Sequence, residues 1–283
     1  MANISVLKVF KQARSALSLL NPEEVRGRAA RRVRIGLVAS GDAGYAHMEE
    51  VFGPVEALGG FVFRASDSDA PDHVELVFYE PGLEAPDDAY VLDFADPDAV
   101  LARAAREHDD LALALARQFP GFRGPVIDGI IRTTSRENAF FAVATALPDI
   151  VPNFMELPWA LGEWASDTAF ITANQVRMAF QIAGASGKDL GFSQQKLDVL
   201  AIGAGAFGWR AIARELAGKI PFGGGLIPKG AIAYAGTFLM GKGLERLHAG
   251  RPALTREEHQ AAYRQALEAG RSMAGSVVAP PQV

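Results

Sequence analysis

The chain has 283 residues, enough for one large or two modest domains with an ample core, and its 49% hydrophobic and 22% charged content is that of an ordinary globular protein. It has no cysteine, which excludes disulfides, thiolate metal sites and cysteine catalysis and fits a reducing compartment. The net charge of −5 conceals opposed blocks: residues 1–34 carry eight Lys/Arg against Glu23 and Glu24, while residues 35–110 carry three Arg against eighteen acids.

The acidic block argues against a nucleic-acid interface there, because it repels phosphates. The basic leader has three candidate partners: anionic lipid, nucleic acid, or the protein's own acids. Within it, residues 3–20 place Ile4, Leu7, Phe10 and Leu17 at helical spacing. Lys8, Lys11 and Arg14 interrupt any secretory-type apolar run. Asn21-Pro22-Glu23-Glu24 reads as an N-cap, a proline at the first helical position and acids in the first turn. Residues 1–32 form either a docking helix with a short connector or a helix lying on a membrane surface.

Residues 33–120 read as α/β. Candidate strands are 33–39, 61–65, 73–79 and 89–95, each rich in β-branched, aromatic or other apolar residues. Helical patterns cover roughly 45–58 and 97–118, the second with Asp96 as N-cap and Pro97 just inside. This alternation predicts a small, mostly parallel sheet.

Between the first strand and its helix lies Ala39-Ser40-Gly41-Asp42-Ala43-Gly44-Tyr45-Ala46. A phosphate-binding G-x-x-x-x-G-K-[ST] loop would stand here. The first glycine is Ala39, the second is Gly44, the lysine is Tyr45 and the hydroxyl residue is Ala46. Without the cation that grips the β/γ-phosphates and the hydroxyl that ligates Mg²⁺, the turn is unfit for phosphoryl transfer. Tyr45 is expected to fill or cover the cradle.

After Phe119-Pro120-Gly121 the pattern becomes helical to Gly270, cut by prolines, so a domain boundary is expected near 119–125. One helix opens at Arg132-Thr133-Thr134-Ser135-Arg136-Glu137-Asn138 and stops at Pro148. A second, near 167–183, has Asn174, Arg177 and Gln181 on one face and Ile171, Gln175 and Met178 beside it. Ser193 caps a third with a stripe of Ala201, Gly205, Gly208 and Ile212. A fourth follows Lys229, with Ile232, Gly236, Leu239 and Gly243 on one line, after a chain-reversing loop at 220–228. Each glycine costs a helix about 1 kcal/mol against alanine, so their repetition predicts close helix approach. Asp198 and Arg210 bracket eleven uncharged residues, and Lys229 and Lys242 bracket twelve. A bilayer span needs about twenty, so this hairpin is either buried in a helical domain or placed in or on a membrane without spanning it independently. Thr255-Arg256-Glu257-Glu258 is a capping box opening a last helix, 256–268. The Pro-containing tail 277–283 is expected to be disordered.

Two resemblances rest on these residues. Val74-Glu75-Leu76-Val77-Phe78-Tyr79-Glu80-Pro81-Gly82-Leu83 resembles the strand and D-T-P-G-L motif of Era-like GTPases. In that family the Asp holds Mg²⁺ through water and the Gly amide contacts the γ-phosphate. Tyr79 stands for the Asp and Glu80 for the Thr, while Pro81-Gly82-Leu83 remain, and no N-K-x-D motif follows. Residues 89–96 look like the next core strand, and no fifth or sixth strand is expected. The stretch from about 125 to 250 resembles domain of unknown function 697, a helical module appended to such GTPases. The resemblance is carried by Arg136-Glu137-Asn138-Ala139, the Pro148–Pro152 break, Thr172-Ala173-Asn174-Gln175 through Gly187, and the Gly203–Gly243 hairpin. The family implies a bacterial origin and membrane proximity but supplies no catalytic residue.

Other chemistry is missing. Gly184-Ala185-Ser186-Gly187-Lys188-Asp189 lacks the earlier glycine and the hydroxyl of a phosphate loop and reads as a helix-terminal glycine turn. Asp67, Asp69 and Asp72 lack the rest of a calcium loop and read as a solvated turn. The five histidines have no paired spacing, and His108 is expected to be exposed. There is no G-x-S-x-G elbow.

The expected architecture is α/β + α: a basic leader (1–32), a degenerate P-loop-like half-sheet (33–120), a helical module with a Gly-rich hairpin (121–250), a C-terminal helix (251–276) and a tail (277–283). The expected function is a non-enzymatic, membrane-proximal scaffold or regulator without cofactor or metal. It would reside in the cytoplasm, at the inner face of the membrane in the membrane-bound case. The positions of interest are the vestigial Ala39, Gly41, Asp42, Gly44, Tyr45, Ala46, Tyr79 and Gly82. Protein partners or self-association, for instance through the unfinished sheet edge, come first. The alternatives are an enzyme or small-anion binder using the turn at 39–46, and a soluble helical interaction protein.

Overall fold

The computed structural model describes residues 22–67, 71, 73–145, 167–191, 193–198, 202 and 226–278. The apolar leader helix, the Pro148–Pro152 break, the stripe from Ala201 to Ile212 and residues 279–283 lie outside them, apart from Ile202. The chain divides into two compact units: a sheet unit of Pro22–Gly129 with Ala183–Leu190, and a helical unit whose described parts lie at 130–182 and from Gly191 onward.

The sheet unit begins with α1 (Pro22–Ala29), followed by β1 (Ile35–Val38), α2 (Asp42–Phe52), the one-turn α3 (Val55–Leu58), β2 (Val62–Arg64), β3 (Leu76–Tyr79) and β4 (Tyr90–Val91). All pairings are parallel, in the order β2-β1-β3-β4, which matches the first four strands of the doubly wound 2-1-3-4-5 series. The strands alternate buried with half-buried positions, so Ile35, Leu37, Leu76 and Phe78 share the core face.

The strands are shorter than their apolar runs because side chains take over the ladder at the ends. Gln118 accepts from the Val33 amide at 2.9 Å and donates to the Val33 carbonyl at 3.1 Å, so its amide stands in for a neighbouring strand. Glu75 accepts from the Arg34 amide at 2.7 Å. Asp93 accepts from the Ala95 amide at 2.9 Å and turns the chain soon after β4.

The helix expected over 45–58 starts earlier and breaks. Gly41, in extended conformation, is the N-cap of α2, and Gly53, at φ 145°, ends it before Pro54. The run 97–118 likewise divides into α4 (Pro97–Glu107) and α5 (Asp109–Gln118) at His108. Asp96 takes the N-cap position of α4 without a side-chain cap bond, and Pro97 stands at N1 or N2. Asp109 and Asp110 form ion pairs with Arg28 and Arg31 of the basic leader. His108 is half-buried beside the Tyr90 ring, not exposed.

The helix expected to open at Arg132 already starts at Pro120: α6 (Pro120–Ala144) runs through Pro125, and the compact units divide inside it, at Gly129/Ile130. Its first turn is forced by contact. A Cβ on Gly121 would land on the Val51 carbonyl oxygen, and one on Gly53 would lie 2.7 Å from Pro120 Cδ. That approach seats Phe119 and Phe122 beside Phe52 and Phe78, all four fully buried with centroids 5.0–6.4 Å apart.

In the helical unit, α7 (Asp167–Ala185) is joined by α8 (Leu226–His248) and α9 (Arg256–Val278). Leu226-Ile227-Pro228 belong to the first turn of α8 and not to the reversing loop, because proline is tolerated where no intrahelical donor is needed. Val277 and Val278 are helical, not tail. Close helix approach occurs at Gly230, against Val143 and Ala274, at Gly241, against Ile131, and at Gly270, against Ala231 and Tyr234. The capping box of α9 forms: Thr255 Oγ1 accepts from the Glu258 amide at 3.2 Å, and Glu258 accepts from the Thr255 amide at 2.7 Å.

Two substitutions probe the docking of α6. Gly121→Ala puts a methyl into backbone and is expected to cost more than the ~1–3 kcal/mol of ordinary overpacking. Phe122→Ala is expected to cost about 3–5 kcal/mol. Urea unfolding measures both, and a Gly121→Ala variant as stable as wild type would contradict the close approach.

Candidate functional site

In doubly wound sheets, ligands sit beyond the carboxyl ends of the strands where the order reverses. Here that place lies between β1 and β3, and it contains the remodelled turn. Ala39 is half-buried; Ser40, Gly41, Asp42 and Ala46 are exposed; Gly44 and Tyr45 are buried. Tyr79 ends β3, and Gly82, at φ 88°, forms the turn after it.

The crook of the turn is occupied by Glu80, the residue immediately after β3. One carboxylate oxygen accepts from both the Ser40 amide and the Ser40 hydroxyl, each at 2.7 Å. The same carboxylate lies over Gly44, where an added Cβ would come within 2.6 Å of it. The backbone register assists, since the Glu80 amide donates to the Val38 carbonyl at 2.9 Å. The Ser40 amide, a donor that a loop of this shape would offer to a phosphate, is thus engaged by a carboxylate of the protein itself. The Ser40 amide bond, then the Ser40 hydroxyl, and then the charge of nearby His47 hold the Glu80 carboxyl below its ordinary range.

Tyr45 lies inside the fold. Its ring is buried, with the Arg64 guanidinium 5.3 Å from its centroid. Arg64 in turn binds Glu49 through Nε at 2.8 Å and NH2 at 3.0 Å and faces Asp42 at 3.6 Å. The Glu49 bond is the leading cause of its raised pKa. A cation therefore does stand beside the turn, but it is spent on Glu49 and on the tyrosine ring. His47 stacks on Phe94 at 3.9 Å.

The sheet edges are blunted. The alternation of β2 leaves the Arg64 amide on its outer side, where Asp67 accepts from it at 3.3 Å. The outer carbonyl of Ala89, beside β4, accepts from Arg103 NH2 at 2.6 Å, and the Ala89 amide donates to the Pro86 carbonyl. Tyr90 in β4 donates to Glu107 at 2.7 Å, and burial, with that bond, pushes its hydroxyl up to about 12. Asp69 and Asp72 lie outside the described residues, and among those described no group of three His, Cys, Asp or Glu could hold a metal.

The helical unit contains a polar network that residue spacing shows only in part. Asn138 Nδ2 donates to Thr237 Oγ1 at 2.9 Å, and Asn174 Nδ2 donates to Asn138 Oδ1 at 2.9 Å and to Glu137 at 2.9 Å. Gln175 reaches Thr237 at 3.3 Å, and Arg177 pairs with Glu137. Asn138, Asn174, Gln175 and Thr237 are buried. Asn174 and Arg177 do share a face, as their spacing predicts, and that face meets Glu137 of α6; Gln181 is half-buried. Asp198 and His248, fifty positions apart, form a second pair at 3.0 Å with both side chains almost fully buried.

The turn at 184–189 is a helix terminus. Gly187, at φ 73°, donates to Gly184, and Lys188 donates to Ala183, the paired bonds of a Schellman motif. Among the described residues, no helix is long and apolar enough to cross a membrane. No protein-family model, curated protein or solved structure matches the chain.

Because the folded pKa of Glu80 is depressed, its contribution to stability is complete above the ordinary glutamate value of 4.5 and is lost as pH falls through the lower folded value. Carboxyl NMR is expected to place the Glu80 midpoint below 4.5, whereas a free side chain in that turn would titrate normally. Asn138→Ala strands partners on α7 and α8 and is expected to cost about 1–3 kcal/mol by urea unfolding; a loss under about 0.5 kcal/mol, the scale of an ordinary surface change, would refute the network.

Proposed function

We propose that the protein is a non-enzymatic scaffold or regulatory protein whose P-loop-like half-domain has been converted from a nucleotide cradle into a self-satisfied structural turn. The observation that supports this most is the Glu80 carboxylate on Ser40 and Gly44. A triphosphate would have to displace it, and would then meet Tyr45 and Ala46 where a phosphate loop presents lysine and a hydroxyl. Anionic ligands face the same competition, and the surroundings add Asp42 to the repulsion. The strand order belongs to doubly wound sheets in general, so descent from an Era-like GTPase is argued from the turn and from Pro81-Gly82-Leu83.

With the outer edges of β2 and β4 partly bound by Asp67 and Arg103, we place the docking surface on the helical unit. Leu197 is 75% exposed and Leu247 53% exposed. They are the chain neighbours of Asp198 and His248, whose buried pair brings the two leucines into one neighbourhood. Large exposed apolar side chains near a fixed polar pair suit a protein contact. Membrane proximity, the remaining part of the proposal, rests on the basic leader and on the resemblance of the helical module to domain of unknown function 697.

Isothermal titration of the full chain with GTP or ATP and Mg²⁺ is expected to give no binding heat, and micromolar affinity for either would overturn the proposal. Co-sedimentation with vesicles containing anionic lipid is expected to bring the protein down at low salt; recovery wholly in the supernatant would remove the membrane part and leave the scaffold.

A further inference from the structure

Parallel sheets are nearly always covered on both faces, because each right-handed crossover lays a helix against the strands. Among the described residues, the ring, cation and hydrogen-bond contacts from helices to strand side chains fall on one face. Tyr45 and Glu49 of α2 meet Arg64, Phe52 and Phe122 meet Phe78, and Arg103 of α4 lies over Tyr90. By register Arg64, Phe78 and Tyr90 share that face with Ile35, Leu37 and Leu76. The opposite face carries Gly36, Val38, Phe63, Val77, Tyr79 and Val91. None of these six is buried, and Val91 is 37% exposed.

The topology explains the difference. From β1 to β2 the chain moves toward one edge, and α2 crosses on the covered face. From β2 to β3 and from β3 to β4 it moves the other way, so a right-handed crossover helix in either connection would lie on the opposite face. The connection 80–89 contains no helix, and neither do the described residues of 65–75. Instead Val74 leans on Gly36, with a methyl 3.1 Å from where a Cβ would stand, and adds to the apolar surface. Four strands about 4.8 Å apart span about 14 Å, and four residues run about 13 Å along them. That is room for one helix about 10–12 Å across, and well short of the roughly 800 Å² per partner of a standard interface. Charge narrows the choice further. The connections 65–75 and 80–89 hold eight acids and no Lys or Arg. Glu75 and Glu80 are engaged by Arg34 and Ser40, while Glu84, Asp87 and Asp88 are exposed. A second copy of the chain would bring these like charges together, whereas a basic helix would answer them.

We infer that this half-buried face of the sheet is a second docking surface, for an amphipathic helix with a basic polar side supplied by a partner protein. Its apolar side lies on Val38, Phe63, Val77, Tyr79 and Val91 in place of a crossover helix. Its Lys and Arg side chains reach Glu84, Asp87 and Asp88 in the connection beside it. The surface does not depend on the emptiness of the nucleotide turn, so a positive nucleotide titration would leave it standing.

The test titrates the full chain with a synthetic helical peptide of about five turns, leucine along one side and lysine along the other, and follows the valine methyl signals by NMR. The same peptide with glutamate in place of lysine is the control. The expected result is saturable binding of the lysine peptide alone, with the Val38, Val77 and Val91 methyls shifted. Val91→Asn, and separately Glu84→Lys with Asp87→Lys and Asp88→Lys, are expected to weaken it by about ten-fold, the loss of about 1.4 kcal/mol. No binding, binding that leaves those methyls unmoved, or equal binding of the glutamate peptide overturns the inference. Two further outcomes also overturn it by assigning the face to another occupant. One is movement of the same methyls in the free protein when Lys8, Lys11 and Arg14 are changed to Glu, which would make the chain's own leader the cover. The other is a dimer in sedimentation that Val91→Asn dissociates. The methyl shifts are read on the wild-type chain and decide the matter even if a variant fails to fold.

Discussion

The approach of the first turn of α6 to the last turn of α2 governs how the sheet unit packs. Gly121 lies against the Val51 carbonyl and Gly53 against Pro120, with no room for a Cβ at either place. The reward for that closeness is the burial of Phe52, Phe78, Phe119 and Phe122 in one cluster, each ring worth about 1.5–3 kcal/mol in area alone. Edge-to-face and stacked contacts among them add about 0.5–1.5 kcal/mol per pair. Phe78 lies on β3, directly before Tyr79 and Glu80, and extends the cluster to Tyr90 at 5.3 Å. The same packing that builds the core therefore sets the height at which the Glu80 carboxylate leaves the sheet.

Glu80 solves a problem created by the turn's own geometry. A glycine-bounded strand-to-helix turn leaves amides pointing into a crook, and the start of α2 adds the positive end of a helix dipole. In a nucleotide-binding protein the ligand satisfies those donors. Here the Glu80 carboxylate takes the Ser40 amide and hydroxyl, with a charge of the sign the site prefers. Asp42 and Arg64 complete the local balance, the arginine being held by Glu49 and stacked on Tyr45.

Much of the sheet unit was legible because strand and helix periods differ and because Pro97 stands at a helix start, whereas the break at Gly53 and Pro54 was read through as continuous helix. What spacing could not reveal was which side chain would meet which backbone across long separations. Gln118 reading Val33 as a strand would, Glu75 binding Arg34, and Glu80 filling the turn forty residues upstream are all tertiary events. Glu80 was visible only as a replaced threonine, since a motif comparison records what is lost and not what the new residue does. In the helical unit, the shared face of Asn174 and Arg177 was readable from 3.6-residue periodicity. That Glu137 would be its counterpart was not readable from spacing, because it lies on another helix, and the Asp198–His248 pair carried no local signal at all.

The distribution of charge makes sense once these contacts are assigned. The leader's Arg28, Arg31 and Arg34 meet Asp109, Asp110 and Glu75, all drawn from the acidic block. All of these side chains are a quarter exposed or more, so each pair contributes at most about 1 kcal/mol. Their weight lies in placement. Eighteen acids in residues 35–110 repel one another, and three arginines entering from one side relieve that repulsion while fixing α1 against the start of α5. The Asp110 carboxyl is correspondingly held below its usual range by the Arg31 bond. Of the three partners the sequence offers the basic leader, these arginines meet the protein's own acids. Arg32, in the same stretch, is exposed, and with Lys8, Lys11 and Arg14 of the sequence upstream it marks where an electrostatic contact with a surface is to be sought.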